Sequence, residues 1–326
     1  MENFFDFSKL KGYELEKLID LASSYKSGKI KDQPLKNKNI GLLFNVPSTR
    51  TRISFQTAIK HLGGEPLTYS AHELQLANKE SMKDTATVMG KYLDGLVVRW
   101  YNMNDYGYGR NTLEEIAYNS NLPVINALDD KDHPCQIMAD ILTLKEKYGQ
   151  NYKKKKVLFT WGYAERKKSP GCTHSMLTAA SLLGMDLRIA HPKGFELDEQ
   201  YLSFAKQTAK ESGANLEFSN DLDEAIEDVD VVYAKAWGSL SLPGYEEQRY
   251  KNEIRDNWLV NHERFDRANQ DAYFINPLPI IRGDEAIAEI IDGPRSLMYN
   301  TAENRLHVQK ATLASIYSKE KILQKN

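Results

Sequence analysis

The sequence predicts an α/β protein with two doubly wound domains, each built on a parallel sheet. Short apolar runs alternate with longer amphipathic stretches along most of the chain, which sets strands in parallel with helices crossing between them. The 326 residues are too many for one small core and are typical of two domains. Near the middle, the amphipathic stretch Gln136–Tyr148 ends before Gly149, and a second strand–helix series begins after it.

The elements follow in order. Apolar spacing predicts a helix over Lys9–Tyr25. The apolar run Ile40–Asn45 reads as a buried strand, and Ile53–Leu62 returns to helical spacing. Ser81–Tyr92 is predicted helical, Leu93–Arg99 a strand, Thr112–Ser120 a helix and Pro123–Ala127 a strand. In the second series Lys156–Trp161 is a strand, and Ser175–Leu183 is a helix stopped by Gly184. Asp186–Ala190, Asn215–Ser219 and Val229–Ala234 are strands, with helices at Tyr201–Ser212 and Leu222–Ile226 between them. Tyr273–Ile275 is a buried strand leading into Asn276-Pro277-Leu278-Pro279. A last helix, roughly Arg305–Glu320, is long enough to reach back over both domains. The expected domains are residues 1–148, with a C-terminal helix of about 305–322 packing back on them, and residues 149–304. Such sheets bind ligands beyond the carboxyl ends of their strands, and a two-domain version puts the site in the cleft between the domains.

Composition narrows the function. A net charge of -2 and a pI of about 6.4 give no electrostatic case for nucleic acid or a membrane surface. No apolar run is long enough to span a bilayer, and the N-terminus has neither the basic nor the apolar region of a signal peptide. The two cysteines, Cys135 and Cys172, build no disulfide framework, form no CxxC zinc pattern and fit a reducing cytoplasm. Lys153-Lys154-Lys155-Lys156 reads as a solvated loop before a strand.

Polar residues that could carry chemistry fall at the strand ends. Ser48-Thr49-Arg50-Thr51-Arg52 joins a strand to a helix, where unclaimed amides, hydroxyls and guanidinium forks together suit an oxyanion. The plainer reading is an ordinary helix cap with surface arginines. Arg99 closes a strand, as a ligand or as the strand's exit into solvent. His133, in His133-Pro134-Cys135-Gln136, is a candidate general acid or donor to a carbonyl, or else a capping histidine. Glu303-Asn304-Arg305 opens the last predicted helix.

Taken together, in this order and at these separations, these segments resemble the aspartate/ornithine carbamoyltransferase family, and Lys79–Ala86 resembles its ornithine branch. The resemblance runs from about residue 38 to residue 318. It implies a carbamoyl-phosphate domain, an amine-substrate domain, and a homotrimer with active sites at subunit interfaces. By the same resemblance, Ser48, Thr49, Arg50 and Thr51 hold the phosphate of carbamoyl phosphate, while Arg52 is more structural. Arg99 and His133 polarise the carbamoyl carbonyl, Gln136 meets the carbamoyl amide, and Arg305 adds a donor. Gln75 matches a loop that reaches a neighbouring subunit's phosphate. The implied reaction needs no metal and no organic cofactor, and the sequence supplies no metal-ligand set.

The amine substrate is read from four places. Lys235, in Tyr233-Ala234-Lys235-Ala236-Trp237-Gly238, stands where ornithine enzymes carry an aspartate for the substrate's α-ammonium; a cation there repels that group. The run resembles that of N-acetylornithine carbamoyltransferases, as does the long loop Thr160–Gly171, which in that branch is threaded into a knot. Asp129 matches a glutamate that binds the substrate's amino end, and Lys251 approximates a lysine that binds the carboxylate. Against this, Asn276-Pro277 replaces the usual His-Cys, leaving the Leu278 carbonyl to accept from the carbamoyl NH₂, and the ornithine-like Gln75 loop is present. An N-acylated ornithine is the favoured substrate. Free ornithine or another small amine is the alternative, and a catalytically silent carbamoyl-phosphate sensor or scaffold is the alternative of a different class.

Overall fold

A computed structural model describes residues 3–318 and divides the chain into two compact units. One runs to Leu142 and resumes at Glu303; the other spans Thr143–Ala302. The breaks therefore fall inside two helices, rather than at the expected 148/149 and 304/305.

The first unit is built on a parallel sheet of β1 (Asn39–Phe44), β2 (Glu65–Ser70), β3 (Gly95–Arg99) and β4 (Val124–Leu128), in the order β2-β1-β3-β4. Helices α1 (Gly12–Lys26), α2 (Arg50–His61), α3 (Met82–Tyr92) and α4 (Tyr108–Ser120) belong to this unit, and α5 (Pro134–Tyr148) begins in it. The central strands are buried almost end to end, as their apolar runs require. The strand order reverses between β1 and β3, and Phe44 pairs with Arg99 at their carboxyl ends. That is the topological switch point, where ligands bind in open α/β sheets.

The second unit has the strand order β7-β6-β5-β8-β9: β5 (Lys156–Trp161), β6 (Asp186–Ala190), β7 (Asn215–Ser219), β8 (Val231–Lys235) and β9 (Tyr273–Ile275). All register pairs between these strands are parallel. Its helices are α6 (Gly171–Leu183), α7 (Glu199–Ser212), α8 (Leu222–Ala225), α9 (Gly244–Ile254), α10 (His262–Phe265) and α11 (Ala288–Ile291); α12 (Met298–Tyr317) starts here and continues in the first unit. The switch point lies between β5 and β8, where Trp161 pairs with Lys235. No described helix is long and apolar enough to cross a membrane.

Four named elements, β2, α9, α10 and α11, lie outside the sequence expectations, and β2 and α9 do so for different reasons. β2 carries Pro66 and is an edge strand whose residues are mostly half-buried, so its apolar signal is weak. α9 inverts the usual pattern: its buried residues are Glu247 and Lys251, which hydrophobic periodicity does not register. α12 also begins at Met298, so Arg305 sits inside the helix and not at its start. The tail of that predicted helix, residues 319–322, lies outside the described residues.

Candidate active site

The β1–α2 turn is set by backbone and side-chain pairing at the strand ends. Asn45 extends the β1–β3 pairing: its amide donates to the Arg99 carbonyl, and its side chain exchanges two hydrogen bonds with the Tyr101 backbone. The chain then passes Val46-Pro47-Ser48 and enters α2 at Arg50. Thr49 occupies the N-cap, yet its side chain makes no capping bond, which is not how an ordinary cap behaves. The first-turn amides therefore have no side-chain cap, and Arg50, Thr51 and Arg52 all lie within that turn.

Side chains from two other elements, β3 and α12, meet at Thr51, which is only 2% exposed. Its hydroxyl accepts from Arg305 Nη2 at 2.8 Å and, at a longer 3.5 Å, from Arg99 Nη1. Arg305 Nη1 donates to Gln136 Oε1 at 2.8 Å, and Gln136 Nε2 donates to Asp140 Oδ1 at 2.9 Å. These two bonds fix which way the Gln136 amide faces. Arg305 is held on its side by α12, which Lys26 of α1 grips through Asn304 and Glu303. Arg99 also donates to the Tyr101 hydroxyl at 3.3 Å.

The electrostatics suit an anion. Burial, and then the neighbouring Arg99, hold the Arg50 guanidinium below its ordinary range. Among the described residues neither Arg50 nor Arg99 forms an ion pair with a carboxylate; Arg99 meets hydroxyls and the Tyr101 ring instead. Arg52 turns elsewhere, to the Ser70 hydroxyl and the Phe44 ring. Ser48 is half-buried and Thr49 exposed on the turn. Gln75 is exposed on a 3₁₀ turn, bonded to Asn78, and makes no hydrogen bond to the Thr51 group. Burial pushes the Cys135 thiol up to about 11, which removes it as a nucleophile near neutral pH.

His133, 5% exposed, opens α5, where its carbonyl accepts from the amides of Gln136 and Ile137. Asp129, expected to meet the substrate's amine, is placed differently. It is fully buried; Oδ1 accepts from the amides of Lys131 and Asp132, and Oδ2 accepts from Arg110 Nε. Burial raises its pKa, and Arg110 pulls it back down. A carboxylate engaged in this way organises its own loop. Arg110, Asp132 and Asp140 were missed by sequence reasoning. The only sequence signal was the density of aspartates before His133.

In the second unit the cations at the switch point face acids. Lys235 Nζ lies 3.1 Å from Glu285 Oε1, which also accepts from the Ala236 amide. Gly162 makes room for Glu285, because a Cβ there would meet its side chain and backbone. Lys251 is buried and donates to the carbonyls of Ala164 at 2.9 Å and Glu165 at 3.3 Å, so it clamps the β5–α6 loop. That engagement leaves it poorly placed for the expected role of carboxylate ligand. Lys167 pairs with Glu247, and Arg255 with Asp284. Lys168 is half-buried beside Lys235 and, among the described residues, has no carboxylate within ion-pair distance; burial first, then Lys235, lowers its pKa. Asn276, in the place of the usual histidine, is fully buried and donates its side-chain amide to the Ala234 carbonyl, bridging the ends of β9 and β8. Leu278 is half-buried, and its bond to Pro279 is cis.

Comparisons with known proteins identify the family. The family model described as aspartate/ornithine carbamoyltransferase, carbamoyl-P binding domain, matches residues 2–146. The model for the Asp/Orn binding domain of the same family matches residues 163–316. The chain is 38% identical to an ornithine carbamoyltransferase of Methanosphaera stadtmanae, over 97% of this chain and 99% of that one. Among solved structures it is similar to the ornithine carbamoyltransferase from Pyrococcus furiosus, with TM-score 0.86 and 34% identity, covering 98% of this chain and 97% of that one. It is also similar to an acetylornithine transcarbamylase complexed with acetylcitrulline, with TM-score 0.88 and 32% identity over 98% of this chain and 100% of that one.

Proposed function

The chain belongs to the aspartate/ornithine carbamoyltransferase family and is a carbamoyltransferase, and from that premise we propose that it carbamoylates the side-chain amine of an N-acylated ornithine. The products are an N-acylcitrulline and phosphate, a step in arginine biosynthesis. The enzyme works in the cytoplasm as a homotrimer, without metal or organic cofactor.

The observation that carries the carbamoyl-phosphate half is the pair Arg50 and Arg99, close enough to repel and without a carboxylate partner among the described residues. Repulsion that only an arriving anion relieves is electrostatic preorganisation. Ser48, Thr49, Arg50 and Thr51 bind the phosphate at the start of α2, with Arg99 and Arg305 as further donors. Arg99 and His133 polarise the carbamoyl carbonyl, and Gln136 meets the carbamoyl amide, whose NH₂ also donates to the Leu278 carbonyl. Gln75, exposed in its own chain, reaches the phosphate held by a neighbouring copy. The uncharged amine attacks the carbonyl carbon. As the tetrahedral oxyanion collapses, the C–O bond to phosphate breaks, phosphate departs to the arginines, and the new ureido nitrogen gives up its proton to the departing phosphate.

The amine half rests on Lys168. Glu285 pairs with Lys235, and Lys168 and Arg166 add positive charge beside that pair, with Glu285 and Asp284 acting on Lys168 in the opposite sense. A half-buried ammonium there disfavours a free α-ammonium and favours the carboxylate of a substrate whose α-nitrogen is acylated. Free ornithine is the second reading, supported by the name carried by relatives such as the Methanosphaera stadtmanae protein. A panel assay separates them: carbamoyl phosphate with ornithine, N-acetylornithine, N-succinylornithine, aspartate and putrescine, measuring the ureido product. Turnover of free ornithine far above the acylated forms overturns the N-acyl reading. Tight carbamoyl-phosphate binding with no product from any amine points instead to a sensor or scaffold.

A further inference from the structure

Arg110 has no part in the reaction as described, yet its guanidinium is surrounded by carboxylates. Beyond its bond to Asp129 at 2.6 Å, Nη1 donates to Asp6 Oδ2 at 2.7 Å and Nη2 to Asp132 Oδ2 at 2.8 Å. The side chains are 12% exposed for Arg110, 0% for Asp129 and 1% for Asp132. One planar fork thus grips both ends of the loop Asp129–Asp132, and His133 is the next residue. The loop is closed further by the Asp129 amide donating to the Asp132 carbonyl at 3.2 Å, and that carbonyl also accepts from Asn126 Nδ2 at 3.3 Å.

The grip is mutual. Asp130 accepts from the amides of Gly107, Gly109 and Arg110 at 2.8, 2.9 and 3.2 Å, so the loop caps the very helix that supplies the arginine. The loop's upstream end reaches the other polarising group: the Trp100 amide donates to the Leu128 carbonyl at 3.1 Å, beside the register shift that sets Arg99 opposite Leu128. A bulge at this place re-aims the side chain that leaves the strand.

We propose that Arg110 is a positioning residue for catalysis: its fork holds the Asp129–Asp132 loop so that His133 meets the carbamoyl carbonyl. The proposal rests on the reading of His133 as a polarising group. A purely structural arginine and a positioning one differ in how their loss combines with the loss of His133.

The test is a double-mutant cycle in the full-length enzyme with Arg110→Lys, His133→Ala and the pair, using the amine turned over fastest. Lysine keeps the charge but cannot span the carboxylates as a fork. Arg110→Lys is expected to lower kcat by roughly 10- to 100-fold while inorganic phosphate binds within about twofold of wild type. In the His133→Ala background the same change is expected to alter kcat by less than about twofold, because the group it positions is gone. Equal losses in both backgrounds, unchanged kcat in Arg110→Lys, or phosphate affinity falling in step with kcat each overturn the proposal. If the lysine variant does not fold, Asp132→Asn removes one arm of the grip and is read through the same cycle. A silent His133→Ala removes the reading of His133 and this proposal together, whereas an additive cycle removes this proposal alone.

Discussion

The two switch points of this chain handle positive charge in opposite ways. In the first unit Arg50 and Arg99 stand close to each other and are met by hydroxyls and an aromatic ring. In the second, Lys235, Lys167 and Arg255 each face a carboxylate, and Lys251 faces backbone carbonyls and, at 3.9 Å, Glu247, while Lys168 has no carboxylate within ion-pair distance among the described residues. Buried charge that is internally neutralised builds structure, and buried charge that is not neutralised waits for a ligand. The first unit therefore leaves Arg50 and Arg99 without carboxylate partners among the described residues, while the second staples most of its cations.

The largest effect that tests this contrast is on catalysis. Arg99→Ala is expected to lower kcat/KM by about 10³-fold, as loss of a preorganised oxyanion donor does, with unfolding little changed. A loss of stability instead would make Arg99 structural and erase the contrast. Lys235→Ala is expected to do the reverse. It strands Glu285 and destabilises the second unit by about 3 kcal/mol, read as a lower Tm. For the same reason Lys235→Asp, which sets two carboxylates together, is expected to damage folding and not simply to switch amine preference.

Ligand linkage gives a middle-sized effect. Inorganic phosphate at about 100 times its Kd is expected to stabilise the protein by about 2.7 kcal/mol. Arg50→Ala is expected to abolish that gain and Lys168→Ala to leave it intact; equal losses in both would merge the two sites.

The smaller effects concern selectivity. Lys168→Ala is expected to raise KM for N-acetylornithine about tenfold, the worth of one charge-assisted hydrogen bond, with kcat little changed. The pH dependence follows from the same residue. Its lowered pKa means Lys168 sheds its proton at a lower pH than an ordinary lysine, so affinity for an anionic substrate is full on the acid side and fades as pH rises. Lys168→Arg keeps its charge and is expected to flatten that alkaline rise in KM. An unchanged profile would move the selectivity away from Lys168.

Much of the anion site was legible in the sequence because its parts are local: a buried strand, a hydroxyl-rich turn with Pro47, and a helix whose first turn holds Arg50 and Thr51. Arg99 was legible for the same reason, as the last residue of an apolar run. The amine side was not. Lys235 and Lys251 were visible as cations, but the meaning of a cation depends on its partner, and Glu285 is distant in sequence from Lys235 as Ala164 is from Lys251. The partner of Asp129 is hidden from the sequence on the same ground, because Arg110 comes from a separate element, α4.

The sequence by itself determined the fold class, the two strand–helix series and the hydroxyl- and arginine-bearing turn before α2, since apolar periodicity and turn chemistry act over a few neighbouring residues. Only the tertiary structure decided which charges stay available for ligands. Coulomb attraction pairs groups by distance in space, and pairs such as Arg305 with Gln136 and Arg110 with Asp6 form only once the strands and helices have packed.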